Sequence, residues 1–303
     1  MNFDSVNLDS TTDIFTLDKP SQDTLIHIVR TAGQTIVMPQ FRQLSACDVE
    51  TKSSLTDLVT VADKASEAYI TQAILAAFPD WDVVGEEAVA DDPSTTDSIA
   101  TADTCVIIDP IDGTWNYAHG LSEFGIILAV VKKGVTCFGL LYDPVNDDWV
   151  YANKGEGSFF QRTAMDEKGK MQAPRHAPLP LKMPDNAECD LTKLMAIMSV
   201  SSYKGQRKQD FALKATSFVR VNNLPSCPAY RQIAQGHFHF SLTYKMLPWD
   251  HAAGVLVHTE AGGICRLLDG SEYAPYKLDG EMLAAQSEAQ WQALSNHFNQ
   301  ACI

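Results

Sequence analysis

Four apolar residues in a row, Cys105-Val106-Ile107-Ile108, run without a polar break into Asp109-Pro110-Ile111-Asp112-Gly113-Thr114. A short apolar run bounded by turn residues reads as a buried strand. This strand ends in two carboxylates, and an ionised carboxylate taken out of water is strongly disfavoured unless a cation or hydrogen bonds compensate it. Any fold open to this chain must bring that compensation to Asp109 and Asp112.

Three further acidic clusters stand at the ends of apolar segments: Asp57 and Asp63 in DLVTVAD, Glu86 and Glu87 in GEE, and Asp250 in PWDHAAG. Taken singly, each has a local reading as a helix cap, a solvated loop or a turn, because Asp satisfies nearby backbone N–H groups at such places. Taken together they form a set of hard oxygen donors, which suits Mg2+ and its habit of sharing substrate phosphate oxygens. Gly113-Thr114 beside them can open a helix or turn whose N–H groups face an anion. A calcium loop is excluded over Asp109 to Gly120, since its third and fifth positions are Ile111 and Gly113 and its twelfth is Gly120 rather than Glu.

A chain of 303 residues with 45% hydrophobic and 20% charged residues has the balance of an ordinary globular enzyme. The net charge of −15 and the lack of any Lys/Arg run argue against nucleic acid as a partner. Seven cysteines, scattered and never spaced Cys-x-x-Cys, fit neither a disulfide framework nor a structural zinc site, and point to a reducing cytoplasm. Met1 to Lys19 holds four Asp and lacks the order of a signal or transit peptide, so it reads as a polar leader. The most apolar run, Phe124 to Val131, is far short of the roughly 20 residues of a membrane helix. A soluble protein without a membrane partner is expected.

Apolar spacing predicts helices over Gln22 to Ser45 and Ala62 to Phe78, then a short strand over Trp81 to Val84 leading into Gly85-Glu86-Glu87. Phe124 to Val131, Val135 to Tyr142 and Trp149 to Ala152 read as an antiparallel meander. The pattern-poor stretch Thr163 to Pro184 contains the expected boundary between an N-terminal α+β half, 1–172, and a C-terminal α/β half, 173–303. Beyond it, strand-like Leu194 to Val200, Phe218 to Val221 and His237 to Leu242 alternate with helical Ala229 to Gln235 and His251 to Glu260, as in mixed α/β packing. His237 and His239 read as one face of a partly exposed strand, and His119 and His251 as turn or helix-end residues.

The chain resembles the inositol monophosphatase family of lithium-sensitive, magnesium-dependent phosphatases. The matching strings are KSSLTDLVTVAD at Lys52 to Asp63, VVGEE at Val83 to Glu87, IIDPIDGTWNYAHG at Ile107 to Gly120, YANKGEGSFF at Tyr151 to Phe160 and WDHAAGVLVHTEAGG at Trp249 to Gly263. The resemblance implies a layered α/β/α/β/α sandwich, usually dimeric, acting on a small phosphate monoester with two or three Mg2+ ions. It implies that Glu86, Asp109 and the Ile111 carbonyl hold a first ion and Asp109, Asp112 and Asp250 a second. Asp63 and Thr114, with Glu86 close by, would activate water, and the Gly113 and Thr114 N–H groups would face the phosphate.

Where the family's inositol phosphatases carry an acidic residue for sugar hydroxyls, this chain has Thr243, and the run beside the substrate is Leu224-Pro225-Ser226-Cys227-Pro228-Ala229. Lys245 is placed to meet a second anionic group, on the expectation that strand alternation puts it on the same face as Thr243. An anionic or nucleotide-like ester is therefore expected to outperform inositol 1-phosphate. Nucleotide 3'-phosphatases, fructose-1,6-bisphosphatases and histidinol phosphate phosphatases share these motifs, and a noncatalytic binding or regulatory descendant is the alternative of a different class.

Overall fold

The computed structural model describes residues 16–165, 171–174 and 177–300; most of the polar leader, and part of the stretch 163–184, lie outside them. Two sheets and a hairpin make up its strands. The hairpin pairs β1 (Val49–Ser54) with β2 (Asp57–Thr60). The larger sheet contains β3 (Asp82–Gly85), β4 (Thr104–Asp112), β5 (Gly125–Lys132), β6 (Val135–Asp143), β7 (Asp148–Asn153), β8 (Gly157–Met165), β9 (Met171–Pro174) and β10 (Leu179–Leu181). Its order is β10-β8-β7-β6-β5-β4-β3, with β9 also on β8. The smaller contains β11 (Met195–Met198), β12 (Arg220–Asn222), β13 (Phe240–Thr243), β14 (Ile264–Leu267) and β15 (Met282–Ala285), in the order β12-β11-β13-β15-β14.

Alternation along the central strands produces the layers. On β4, Val106 and Ile108 face one way and join the helices Lys19–Ala32 and Val61–Ala77, while Cys105 and Ile107 face the other and join the helices Ser226–Ala234 and Pro248–Glu260. The smaller sheet repeats the division: Met282 and Ala284 of β15 face that middle helical layer, and Leu283 and Ala285 meet Phe211, Trp291 and Phe298 of the outer helices Gly205–Ala215 and Glu288–Asn299. Three apolar clusters thus fill the four interfaces between five layers of structure, the middle one lying on both faces of the middle helical layer, as in the α/β/α/β/α sandwich expected. The expected boundary at 172/173 falls within β9, and residues from both sides of it contribute to the middle apolar cluster.

The meander holds as β5, β6 and β7, all antiparallel neighbours. The expected helix Gln22 to Ser45 is broken: an α-helix over Lys19–Ala32 widens into a π-turn at Gly33–Val37 and stops after Met38–Gln40, where Pro39 lacks an N–H and Arg42 takes φ 61°. The last strand and helix, β15 and Glu288–Asn299, carry no signal read in the sequence above. Among the described residues no helix is long and apolar enough to cross a membrane.

Candidate active site

Parallel pairing of β3 with β4 sets Gly85 beside Ile108, so Glu86, which follows β3, and Asp109, the next residue of β4, come to one edge of the sheet. Asp250 reaches the same edge from the first turn of the helix Pro248–Glu260. Carboxylate oxygens of Asp109, Asp112 and Asp250 lie within 4.8 Å of one another. Asp109 is 1% exposed and Asp112 is 6% exposed. Burial, reinforced by Glu86, Asp112 and Asp250, lifts Asp109 well above the usual carboxylate range, and burial and Asp112 do the same to Asp250. Asp112 is raised to about 7 by burial, against the pull of two N–H donors. Those donors are the first amides of the helix Ser226–Ala234: Ser226 N and Cys227 N lie 3.1 and 2.6 Å from its two oxygens.

Next to the triad, Asp63 serves two elements at once. Its Oδ2 accepts from Thr60 N at 2.8 Å and from Thr60 Oγ1 at 2.5 Å, closing a capping box at the start of the helix Val61–Ala77. Its Oδ1 lies 2.9 Å from Thr114 Oγ1, which is also 3.0 Å from the Ile111 carbonyl oxygen. The N-cap is therefore Thr60 rather than Asp63, which completes the box from the third helical position and adds a long-range contact, while Asp57 opens β2 instead of capping a helix. Burial raises Asp63 to about 6, partly offset by the Thr60 and Thr114 hydrogen bonds. Between Asp112 and Thr114 the chain turns through Gly113 at φ 88°, a left-handed conformation that disfavours a side chain, and a Cβ there would also meet Pro225.

Glu86 stands outside the close triad and is held by a cation. Lys52 on β1 puts its Nζ 3.2 Å from Glu86 Oε1 and 2.7 Å from Glu87 Oε1. Burial opposes the Lys52 charge, but the two carboxylates outweigh it and hold the ammonium above its ordinary value. Burial lifts Glu87 to about 7, with Lys52 pulling the other way.

Thr243 lines a small cavity of about 40 Å³ with Ser199, Ser226, Ser241, Tyr230 and His251. Lys245 is not on its strand: β13 ends at Thr243, and 244–247 form an irregular connection to Pro248, so strand alternation does not put the two on one face. Lys245 is exposed, yet close enough for its charge to favour ionised Asp250. His251 is buried, with Nε2 2.6 Å from the Lys245 carbonyl oxygen and Nδ1 3.0 Å from the Tyr230 hydroxyl. His119 stacks on Trp115 and bonds its carbonyl oxygen, a local role. His237 and His239 precede β13 rather than belonging to it, and His239 Nδ1 accepts from Met195 N.

The donor set fits a hard divalent cation. Among the described residues no Lys or Arg nitrogen lies within 4.0 Å of Asp109, Asp112 or Asp250, so three crowded carboxylates, two buried and one half-buried, have no positive partner in contact, and the nearby Ile111 carbonyl adds another oxygen. Sequence reasoning did not single out Lys52, although it lies in a matching string, nor Tyr230 or the Ser226 and Cys227 amides. Their signal is spatial, since Cys227 and Asp112 are 115 positions apart.

Residues 19–301 match the model of the inositol monophosphatase family. The chain is 28% identical over 249 residues to the inositol-1-monophosphatase of Bacillus subtilis, covering 81% of this chain and 84% of that protein. It is 30% identical over 276 residues to the Nus factor SuhB of Haemophilus influenzae, covering 88% and 92%. The solved IMPase of Thermotoga maritima superposes with a TM-score of 0.74 at 24% identity, covering 92% of this chain and 97% of that one, which speaks for the fold alone. A match over nearly the whole chain, a shared five-layer fold and the carboxylates gathered at its sheet edge lead to one conclusion: the chain belongs to the inositol monophosphatase family.

Proposed function

We propose that the protein is a magnesium-dependent phosphomonoesterase that hydrolyses a small soluble phosphate ester by direct attack of water. The observation that carries this reading is the triad itself: Asp109, Asp112 and Asp250 offer oxygens within 4.8 Å of one another, beside the Thr114–Asp63 pair. In this reading Glu86, Asp109 and the Ile111 carbonyl would hold one Mg2+, and Asp109, Asp112 and Asp250 another. Bound magnesium would neutralise the phosphate oxygens and make a water acidic enough to attack.

The chain's own residues do the rest. Thr114 donates its hydroxyl proton to Asp63 Oδ1, which turns an Oγ1 lone pair toward the water and gives the water's proton a path to Asp63. A carboxylate raised to about 6 by burial suits such a role near neutral pH. The Gly113 and Thr114 N–H groups face the phosphate. The neutral hydroxyls of Ser199, Ser226 and Thr243 line a cavity that would take the leaving group, with Lys245 for a second anion, so an ester that carries a further carboxylate or phosphate is favoured over inositol 1-phosphate. A cytoplasmic homodimer completes the reading. A noncatalytic binding role, raised by similarity to a protein named as a Nus factor, has no need of the full set Asp63, Glu86, Asp109, Asp112, Thr114 and Asp250, all of which are present.

The test is phosphate release from a panel of monoesters, including inositol 1-phosphate, nucleotide and sugar phosphates, with Mg2+, with chelator and with Li+. Loss of turnover in chelator, recovery with Mg2+ and inhibition by Li+ are expected. Turnover that survives removal of divalent metal would defeat the mechanism.

A further inference from the structure

One helical turn after Asp63, on the same helix, stands a second buried acid that the mechanism above leaves unused. Glu67 is 7% exposed. Its Oε2 accepts from Glu87 N at 2.9 Å and its Oε1 from Ala88 N at 2.8 Å, so both oxygens are spent on the backbone that follows β3. A Cβ on Gly85 would overlap the carboxyl carbon and both oxygens of Glu67. Gly85 has φ −105° and ψ 154°, an ordinary extended conformation open to any residue, so glycine is required there only by the closeness of this carboxylate. The same helix touches the β4 segment through Ser66, whose Oγ lies 3.4 Å from the Pro110 carbonyl oxygen, and holds Thr114 through Asp63.

We propose that Glu67 is the positioning residue for Glu86: it clamps the peptide from Gly85 to Ala88 and fixes the Glu86 carboxylate relative to Asp63 and Thr114. The proposal rests on the reading that Glu86 holds a metal ion, and assigns Glu67 no contact with metal or substrate. A carboxylate suits the task because two adjacent N–H donors need two acceptor oxygens, which an amide cannot offer. The clamp and the Asp63 pair share one rigid helix, so a shift of either is felt by the other. Metal affinity, more than the chemical step, is what the clamp sets.

The experiment compares wild type, Glu67→Gln, Glu67→Ala, Gly85→Ala and the double variant Glu67→Ala/Gly85→Ala. Mn2+ binding is followed by calorimetry and electron paramagnetic resonance, together with the Mg2+ activation constant, kcat at saturating Mg2+, and Tm in chelator. Mn2+ binding should weaken about ten- to a hundredfold in Glu67→Gln and Glu67→Ala, as on loss of other groups that orient a ligand, with kcat at saturating Mg2+ little changed. Gly85→Ala should reproduce the loss alone and add nothing to Glu67→Ala, since the two changes disrupt one contact. Folded Glu67→Gln that binds Mn2+ as tightly as wild type, with only its Tm lowered, would reduce Glu67 to packing and overturn the proposal. If Glu67→Ala does not fold, Glu67→Gln and Gly85→Ala still decide it. Wild type that binds Mn2+ but releases no phosphate would defeat the phosphatase reading, while the Mn2+ affinities would still judge the clamp.

Discussion

The Thr114 hydroxyl oxygen lies 2.9 Å from Asp63 Oδ1, joining two residues 51 positions apart, while Asp63 Oδ2 is occupied by Thr60. One oxygen of Asp63 holds its own helix and the other holds the threonine. If the pair acts as one unit, Thr114→Ala and Asp63→Asn each lower kcat strongly, by roughly a hundredfold or more, with little change in KM. The double variant is then no worse than the poorer single one. Steady-state kinetics on the four proteins check this, and simple additivity would show separate roles.

Asp109 is buried more deeply than Asp250 and, in the proposed site, would contact both ions, whereas Asp250 would contact one. Asp109→Asn should therefore lower kcat/KM by about a thousandfold, the scale of several kcal/mol of lost charge stabilisation, and Asp250→Asn by clearly less. In chelator neither variant should melt below wild type, because each removes a like charge from a crowded cluster. Kinetics and thermal melts of the two variants read both effects. Equal, mild losses would contradict the assignment.

Burial raises Asp63 to about 6, Asp112 to about 7 and Glu87 to about 7. For each, the folded-state value lies above the unfolded one, so the folded state binds protons more readily. Their favourable contribution is complete below the unfolded values and is lost as pH rises through the folded ones. In chelator, Tm should fall between about pH 5 and about pH 8. Saturating Mg2+ should flatten that slope, because the cation takes over the compensation that protons supply. Melts across pH, with and without Mg2+, test it, and a Tm in chelator that climbs toward pH 8 would contradict it.

Thr243 borders the cavity with hydroxyls in place of an acid. Thr243→Glu should move preference toward inositol 1-phosphate by about ten- to a hundredfold, the worth of a charge-assisted hydrogen bond of roughly 1.5 to 3 kcal/mol. Lys245→Ala should narrow the advantage of esters with a second anion. Ratios of kcat/KM over the panel measure both. Inositol 1-phosphate as the best wild-type substrate would defeat the substrate reading and leave the metal chemistry standing.

Much of this molecule was legible along the chain because the signals are local. The buried run Cys105 to Ile108, the three meander strands and the helix expected over Ala62 to Phe78 depend on alternation and helix period, both visible within a dozen residues. The motif strings then pointed to Asp63, Glu86, Asp109, Asp112, Thr114 and Asp250 as a set, and the structure gathers Asp109, Asp112 and Asp250 within 4.8 Å and Asp63 with Thr114. The ends of local elements were less legible. Strand alternation was carried past Thr243 to Lys245, where β13 has already ended, and helical period was carried through Gly33, where the helix widens.

By itself, then, the order of residues determined which segments are buried strands and helices and which acids stand at their ends, because period and burial are written into neighbouring side chains. Tertiary structure alone decided what compensates each acid. Asp112 is met by amides of Ser226 and Cys227 from the middle helical layer, Glu86 and Glu87 by Lys52 from the hairpin, and the Glu87 and Ala88 amides by Glu67. Asp109, Asp112 and Asp250 keep one another's company with no Lys or Arg in contact among the described residues. The physical reason is that a buried charge is compensated by whatever the fold places within a few ångströms, and no local pattern records a partner that lies tens or a hundred residues away.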